Sequence, residues 1–157
     1  MSEIKIGDKI PSLILYEEIP EKETDISELV ADKKAIIFGV PGAFVPGCSR
    51  VHLRGFIEKS DELRRKGYEE IICVSVNDPF VLTAWGWSKG AEDRVRLLAD
   101  PMAKFTSAIG MGKKMPELGE VCRSRRYSMV TINGIVRELF TEEDNARLMC
   151  LGPKFCI

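Results

Sequence analysis

The residues best suited to chemistry lie in the segment 41–48, which reads Pro-Gly-Ala-Phe-Val-Pro-Gly-Cys. It follows the apolar run 35–40, which predicts a buried strand, and it leads into a helical pattern that contains His52 and Phe56. This order places Cys48 in the first turn of a helix, where backbone N–H groups lack partners and the helix dipole is positive. Such a position stabilises a thiolate and lowers the pKa of the thiol. Cys48 is therefore a candidate nucleophile, and the alternative is a buried, inert cysteine.

The other thiols and the histidine favour no other chemistry. The chain has five cysteines, an odd number with no Cys-x-x-Cys pair, and one histidine. Neither a disulfide framework nor a zinc site is predicted from these spacings. His52 lies four residues after Cys48, on the same helical face, but no carboxylate is placed to orient it. We interpret His52 as a neighbour of the site or a structural contact.

Length and composition indicate one globular domain over residues 1–157. The net charge is −1, with no long run of one sign, so nucleic acid and anionic membrane are poor candidates for a partner. No apolar stretch reaches the 18 or more residues that a membrane span requires. The first residues lack the apolar core of a secretory signal. We predict a cytoplasmic protein, or a mitochondrial one if a transit peptide has been removed.

Strand and helix patterns alternate along the chain. Strands are predicted at 35–40, 71–76 and 95–98, and a hairpin at 127–132 and 135–140 around Asn133-Gly134. Helices are predicted from Leu53 to the stop at Gly67, from Asp78 through Trp87, from Asp100 through Ile109, and from Thr141 toward Cys150. This order predicts an α/β fold with a central mixed sheet flanked by helices.

The segment 41–48 resembles the Pro-x-x-x-Thr-x-x-Cys motif of peroxiredoxins, in the form Pro-Gly-Ala-Phe-Thr-Pro-x-Cys-Ser of their type II (atypical two-cysteine, peroxiredoxin-five-like) group. The resemblance continues through the following residues and segments: His52, Gly55, Phe56, 73–81, 84–85, 98–101 and 123–128. It implies a thioredoxin-like fold. It also implies thiol-dependent reduction of hydrogen peroxide and organic hydroperoxides without metal, haem or other cofactor.

The resemblance also implies residue roles. Cys48 matches the peroxidatic cysteine, whose thiolate attacks a peroxide oxygen and becomes a sulfenic acid. Arg126 matches the arginine that lowers the pKa of that thiol and holds the peroxide, and Pro41 matches the proline that shields the thiolate from water. The N–H groups of residues 47 and 48 are expected to stabilise developing negative charge. Arg123 and Arg125 are expected to be solvated.

One position departs from the motif, because Val45 stands where the family has threonine. Valine has nearly the same shape but no hydroxyl, so a hydrogen bond to the peroxide and the arginine is missing. We expect slower turnover than is usual for the family. The alternative function is a redox sensor or thiol switch of peroxiredoxin fold with weak turnover.

Two thiols match known resolving positions of the group. Cys150 lies in a terminal segment that opens at little cost, whereas Cys73 lies within an apolar strand pattern and packs in the core on the simpler interpretation. We prefer Cys150 narrowly, and a third possibility is that an external thiol attacks the sulfenic acid. The expected reductants are thioredoxin or glutathione with glutaredoxin. A homodimer is also expected, with Trp85 and Trp87 at the core edge or a subunit contact.

Overall fold

A computed structural model describes residues 3–46, 52–119 and 122–141. Within them, seven strands form one sheet in the order β2-β1-β5-β4-β3-β8-β9, and β6 and β7 pair separately. The strands are β1 (Ile14–Tyr16), β2 (Glu23–Asp25), β3 (Lys34–Val40), β4 (Glu70–Ser75), β5 (Arg96–Ala99), β6 (Gly112–Lys113), β7 (Arg123–Ser124), β8 (Tyr127–Ile132) and β9 (Ile135–Thr141).

The sheet is mixed, as the sequence predicts. β3 pairs with β4 and β4 with β5 in parallel, while β8 joins β3 and β9 in antiparallel fashion. The three predicted central strands and the Asn133-Gly134 hairpin are confirmed, with ends that differ by one residue or so. The short strands β1, β2, β6 and β7 were not predicted, because two or three residues are too few to show a strand period.

Four helices flank the sheet in the described part of the chain: α1 (Ile26–Leu29), α2 (Arg54–Arg65), α3 (Pro79–Lys89) and α4 (Lys104–Ala108). Asp78 caps α3 by accepting a hydrogen bond from the Val81 N–H, and Gly90, at φ 74°, ends it. Asp100 does not open α4 directly. Its carboxylate accepts from the N–H groups of Phe105 and Thr106, so the helix begins four residues later than predicted. The helix predicted after Thr141 lies outside the described residues.

Each face of the sheet carries its own core. Phe38 on β3 packs toward α2 and α3 with Phe56 and Trp85, whereas Tyr127 and Phe105 lie in the core on the other face. The Tyr127 ring lies directly on the backbone of Gly39, since a Cβ there would be 2.1 Å from the Tyr127 Cε1. This contact joins the end of β3 to the start of β8, beside the candidate site. Among the described helices, none has the length and apolar character to cross a membrane.

Candidate active site

The segment after β3 forms a tight loop at the carboxyl end of the parallel strands. Pro41 and Gly42 are buried, Val45 is half-buried, and Phe44 is exposed with a left-handed backbone at φ 67°. Residues 47–51, and with them Cys48 and the predicted N–H groups of 47 and 48, lie outside the described residues. The loop 41–46 is the described part of the motif.

The loop 41–46 is fastened to the end of the neighbouring strand β4. The Ala43 N–H donates to the Asn77 Oδ1 over 2.9 Å, and the Ser75 hydroxyl donates to the same oxygen over 2.5 Å. Carboxyl ends of adjacent parallel strands meet at one sheet edge, which brings these residues together. Asn77 is a site residue that sequence reasoning did not single out, although the Asn-Asp-Pro turn after a strand was a usable signal.

Val45 places hydrocarbon where the motif has a hydroxyl. Its side chain packs with Ala43 against the core that contains Phe38, and its Cγ2 lies 3.4 Å from the Cβ position of Gly42. The valine thus fits the loop sterically. Its effect on this site is chemical rather than a change of shape.

Arg126 enters the site from the strand on the other side of β3. Gly39 pairs with Tyr127 in the antiparallel β3–β8 ladder, so Arg126, which precedes Tyr127, lies beside Val40 at the end of β3. Only 9% of Arg126 is exposed. A guanidinium this buried requires compensating negative charge or acceptors nearby. Burial at the end of β3 agrees with the implied role of Arg126 at a thiolate.

The expectation that Arg123 and Arg125 are solvated is wrong. Arg123 donates from Nη1 to the Val76 carbonyl over 2.8 Å and from Nη2 to the Leu118 carbonyl over 3.1 Å. Arg125 donates to the Gly110 carbonyl and forms an ion pair with Glu3 at 3.0 Å. Backbone carbonyls that the short turns leave unpaired attract both guanidinium groups.

The described thiols differ in access. Cys73 is fully buried on β4, where it pairs with Phe38 on β3 and Leu97 on β5. Cys122 is half-buried, and its thiol contacts the carbonyls of Lys113 and Arg123 at 3.7 and 3.4 Å. Cys150 and Cys156 lie outside the described residues. The core position predicted for Cys73 is confirmed.

His52 is a structural contact in the described part of the chain. It is buried just before α2, with its ring centre 4.8 Å from that of Phe38 and 5.8 Å from that of Phe56. Trp85 is fully buried in the same core, and Trp87 is exposed. The aromatic packing fixes the start of α2 against β3.

A polar cleft away from the loop 41–46 contains a network of ion pairs. A cleft of about 600 Å³ lies between α3, the β1–β2 turn and the start of β5. Arg96 forms ion pairs there with Glu17 at 2.8 Å and Glu70 at 3.0 Å. Burial opposes the charge of this guanidinium, but both carboxylates more than offset it, and the pKa of Arg96 is raised. None of the residues at the loop 41–46 lines this cleft.

The hydroxyl of Tyr127, the residue after Arg126, stays protonated. Complete burial raises the pKa of Tyr127 well above its usual value, and the charges of Asp100 and Cys73 raise it further.

Among described residues, no group of three His, Cys, Asp or Glu side chains converges as a metal site would require.

Comparison with known proteins agrees with this geometry. The Redoxin family model matches residues 5–149. Peroxiredoxin-2E, chloroplastic, from Arabidopsis thaliana is 42% identical over 91% of this chain, which spans 64% of that protein's length. Peroxiredoxin-2B from the same plant is also 42% identical, over 83% of this chain and 82% of its own.

Solved structures agree as well. Reduced Prx3 from Vibrio vulnificus superimposes with a TM-score of 0.91 at 37% identity, covering 98% of this chain and 96% of that one. Relatives and structure together show both the family and the thioredoxin-like fold that the motif implies. The chain belongs to the redoxin family as a type II peroxiredoxin, a thiol-dependent peroxidase.

Proposed function

We propose that Cys48 is the peroxidatic thiol of this enzyme. Its thiolate attacks one oxygen of a hydroperoxide, the O–O bond breaks, and the leaving oxygen takes a proton to depart as water or an alcohol. Cys48 is left as a sulfenic acid, which a second thiol reduces. The observation that carries the assignment is a buried Arg126 at the end of β3, the strand after which the chain continues to Cys48.

The described residues supply three functions around that thiol. The Arg126 guanidinium favours the thiolate over the thiol and donates hydrogen bonds to a peroxide oxygen. Buried Pro41 covers the thiolate with an apolar ring that carries no N–H. Val45 adds an apolar side chain to the same loop, at the position where the family has a hydroxyl. The test is steady-state hydroperoxide consumption by the wild type and by Cys48→Ser, with peptide mapping of the oxidised thiol.

Val45→Thr is expected to accelerate peroxide reduction. The substitution restores a hydroxyl at nearly constant shape, and a hydrogen bond to a charged group contributes about 1.5–3 kcal/mol. If the bond forms in the transition state, kcat/KM rises by roughly 10- to 150-fold. Stopped-flow oxidation of the protein thiol measures this rate. Val45→Ala is the control, since it opens space without adding a donor, and an unchanged rate in Val45→Thr would contradict the role given to this position.

We propose Cys150 as the resolving thiol. Cys73 is fully buried on the central strand β4, so its thiol is enclosed by the core, whereas the sequence places Cys150 in a terminal segment, where opening costs little. After one equivalent of peroxide, we expect a Cys48–Cys150 disulfide in peptide maps, and its loss in Cys150→Ser but not in Cys73→Ser. A Cys48–Cys73 disulfide would refute this choice. A sulfenic acid that persists in the wild type would assign resolution to an external thiol.

The proposed reductants are thioredoxin or glutathione with glutaredoxin. An intramolecular disulfide is the form that thioredoxin reduces, whereas a persistent sulfenic acid is open to glutathione. Peroxide turnover with each system, at equal reducing power, distinguishes them. Turnover with neither, despite stoichiometric oxidation of Cys48, would favour the thiol-switch function.

We propose a homodimer formed through the apolar surface beside the loop 41–46. Phe44 is 54% exposed and Phe80 61%, and Val81 adjoins Phe80 at the start of α3. The hydrogen bond between Ala43 and Asn77 joins the segments that carry Phe44 and Phe80, and exposed aromatic side chains are typical of an interface. Sedimentation equilibrium should give a dimer for the wild type and a weaker one for Phe80→Glu. A monomeric wild type would exclude the proposal.

The proposed compartment is the cytoplasm, or the mitochondrion for a chain that has lost a transit peptide. Two relatives, from Arabidopsis thaliana and from Oryza sativa subsp. japonica, carry the description chloroplastic. Imaging of a fluorescent fusion in the native cell decides the compartment, and a plastid signal would replace both proposals.

A further inference from the structure

Arg123 joins three separate segments around the candidate site. Its Nη1 donates to the carbonyl of Val76 at the end of β4, and its Nη2 donates to the carbonyl of Leu118 in the turn Pro116–Leu118. The same Nη1 lies 3.2 Å from the Cβ position of Gly42 in the loop 41–46. A guanidinium in this place binds the support of the loop and occupies the space beside Gly42, where a larger side chain would meet it.

The loop has a second anchor one residue further along the same strand end. Asn77 follows Val76, and its side-chain oxygen accepts the Ala43 N–H over 2.9 Å. Arg123 holds the backbone at Val76, and Asn77 holds the backbone at Ala43. The two residues therefore act in series on one loop.

The conformation of the loop requires such anchors. Phe44, directly after Ala43, has φ 67°, a left-handed backbone that is unfavourable for a bulky side chain. A residue in this region persists when its surroundings fix it, and strained backbone of this kind is concentrated at functional sites. The contacts of Gly42 and Ala43 lie immediately before the strained residue, four residues from Cys48.

We infer that Arg123, together with Asn77, is a positioning residue of the peroxidase reaction. It holds the loop 41–46 in the form that presents the Cys48 thiolate to Arg126, without touching the peroxide. This inference rests on the proposed function of Cys48. It assigns different tasks to two arginines three residues apart: Arg126 acts on the thiolate and Arg123 on the loop.

The chain offers a matched control for this inference. Arg125→Lys makes the same chemical change as Arg123→Lys in a partly buried arginine that binds Gly110 and Glu3 and makes no described contact with the loop. Lysine keeps the charge but cannot donate to two carbonyls in a fixed fork. Misplacing a reacting group by about 1 Å can cost on the order of 100-fold in rate.

Arg123→Lys should lower kcat/KM for hydrogen peroxide by at least about tenfold and shift the pH–rate profile to higher pH, because the displaced thiolate loses Arg126. Arg125→Lys should stay within about twofold of the wild type. Asn77→Ala should reproduce the loss independently. The double variant Arg123→Lys/Asn77→Ala should lose no more than the larger single loss, since both release one loop.

Any one of three results would overturn the inference. Arg123→Lys could keep the wild-type rate and pH profile. Arg125→Lys could lose as much kcat/KM as Arg123→Lys, or the two single losses could multiply in the double variant. Thermal midpoints are measured in parallel. If Arg123→Lys does not fold, Asn77→Ala decides through the same two readouts. Turnover that survives in Cys48→Ser would instead refute the proposed function, so the two failures are distinguishable.

Discussion

Cys48→Ser is expected to abolish peroxide turnover, with a fall in kcat/KM of at least about 10³-fold. The reaction needs a nucleophile that is ionised near neutral pH, and a serine hydroxyl is not. Loss of a nucleophile removes the chemical step rather than substrate binding, and losses at such residues are the largest in an active site. Peroxide consumption, followed with thioredoxin and separately with glutathione and glutaredoxin, measures the effect.

Cys122→Ser is the matched control for this variant. Cys122 directly precedes Arg123, is half-buried, and its thiol donates to the carbonyls of Lys113 and Arg123. Its substitution should leave the rate unchanged. Substantial turnover in Cys48→Ser would assign the peroxidatic role to another thiol, and a loss in Cys122→Ser equal to that in Cys48→Ser would point to a folding defect common to both.

The sequence predicts the central strands because burial on both faces leaves continuous apolar runs. β3 and β4 are examples, and almost every residue in each is buried. The helix α3 was predicted from Asp78 at its start, a local hydrogen bond that a short motif encodes. The strands β1 and β2 pair with each other over only three residues, and β1 meets β5 at one residue pair, so their own residues carry little signal.

Some residues of the candidate site are likewise predictable from the sequence, and others are not. Pro41, Val45 and Arg126 were identified because the motif and its resemblance to peroxiredoxins name them. Asn77 and Arg123 were missed as site residues because their function depends on which backbone carbonyls and N–H groups lie unpaired nearby. That information is a property of the folded turn rather than of any residue type. An arginine in a basic stretch is usually solvated, and only the turn 116–118 and the end of β4 make Arg123 an exception.

Arg126→Gln is expected to lower kcat/KM by roughly 10- to 150-fold, the equivalent of losing about 1.5–3 kcal/mol of charge-assisted hydrogen bonding. The sign of the accompanying pH effect follows from charge. A guanidinium near a thiolate lowers the pKa of the thiol, so its removal raises the pKa of Cys48 toward the free value of about 8.5. The pH–rate profile should therefore move to higher pH. Part of the lost rate should return as the pH rises, because more thiolate forms.

Arg126→Lys separates charge from geometry in this prediction. Lysine keeps a positive charge, so the pH–rate profile should move less than in Arg126→Gln, while the fixed pair of donors to the peroxide is lost. Because only 9% of Arg126 is exposed, thermal midpoints of both variants must be measured. If Arg126→Gln is folded and slow but keeps the wild-type pH–rate profile, Arg126 acts on the peroxide alone. A variant with wild-type rate and a lowered midpoint would reduce Arg126 to a structural residue, and the thiolate of Cys48 would then need another source of stabilisation.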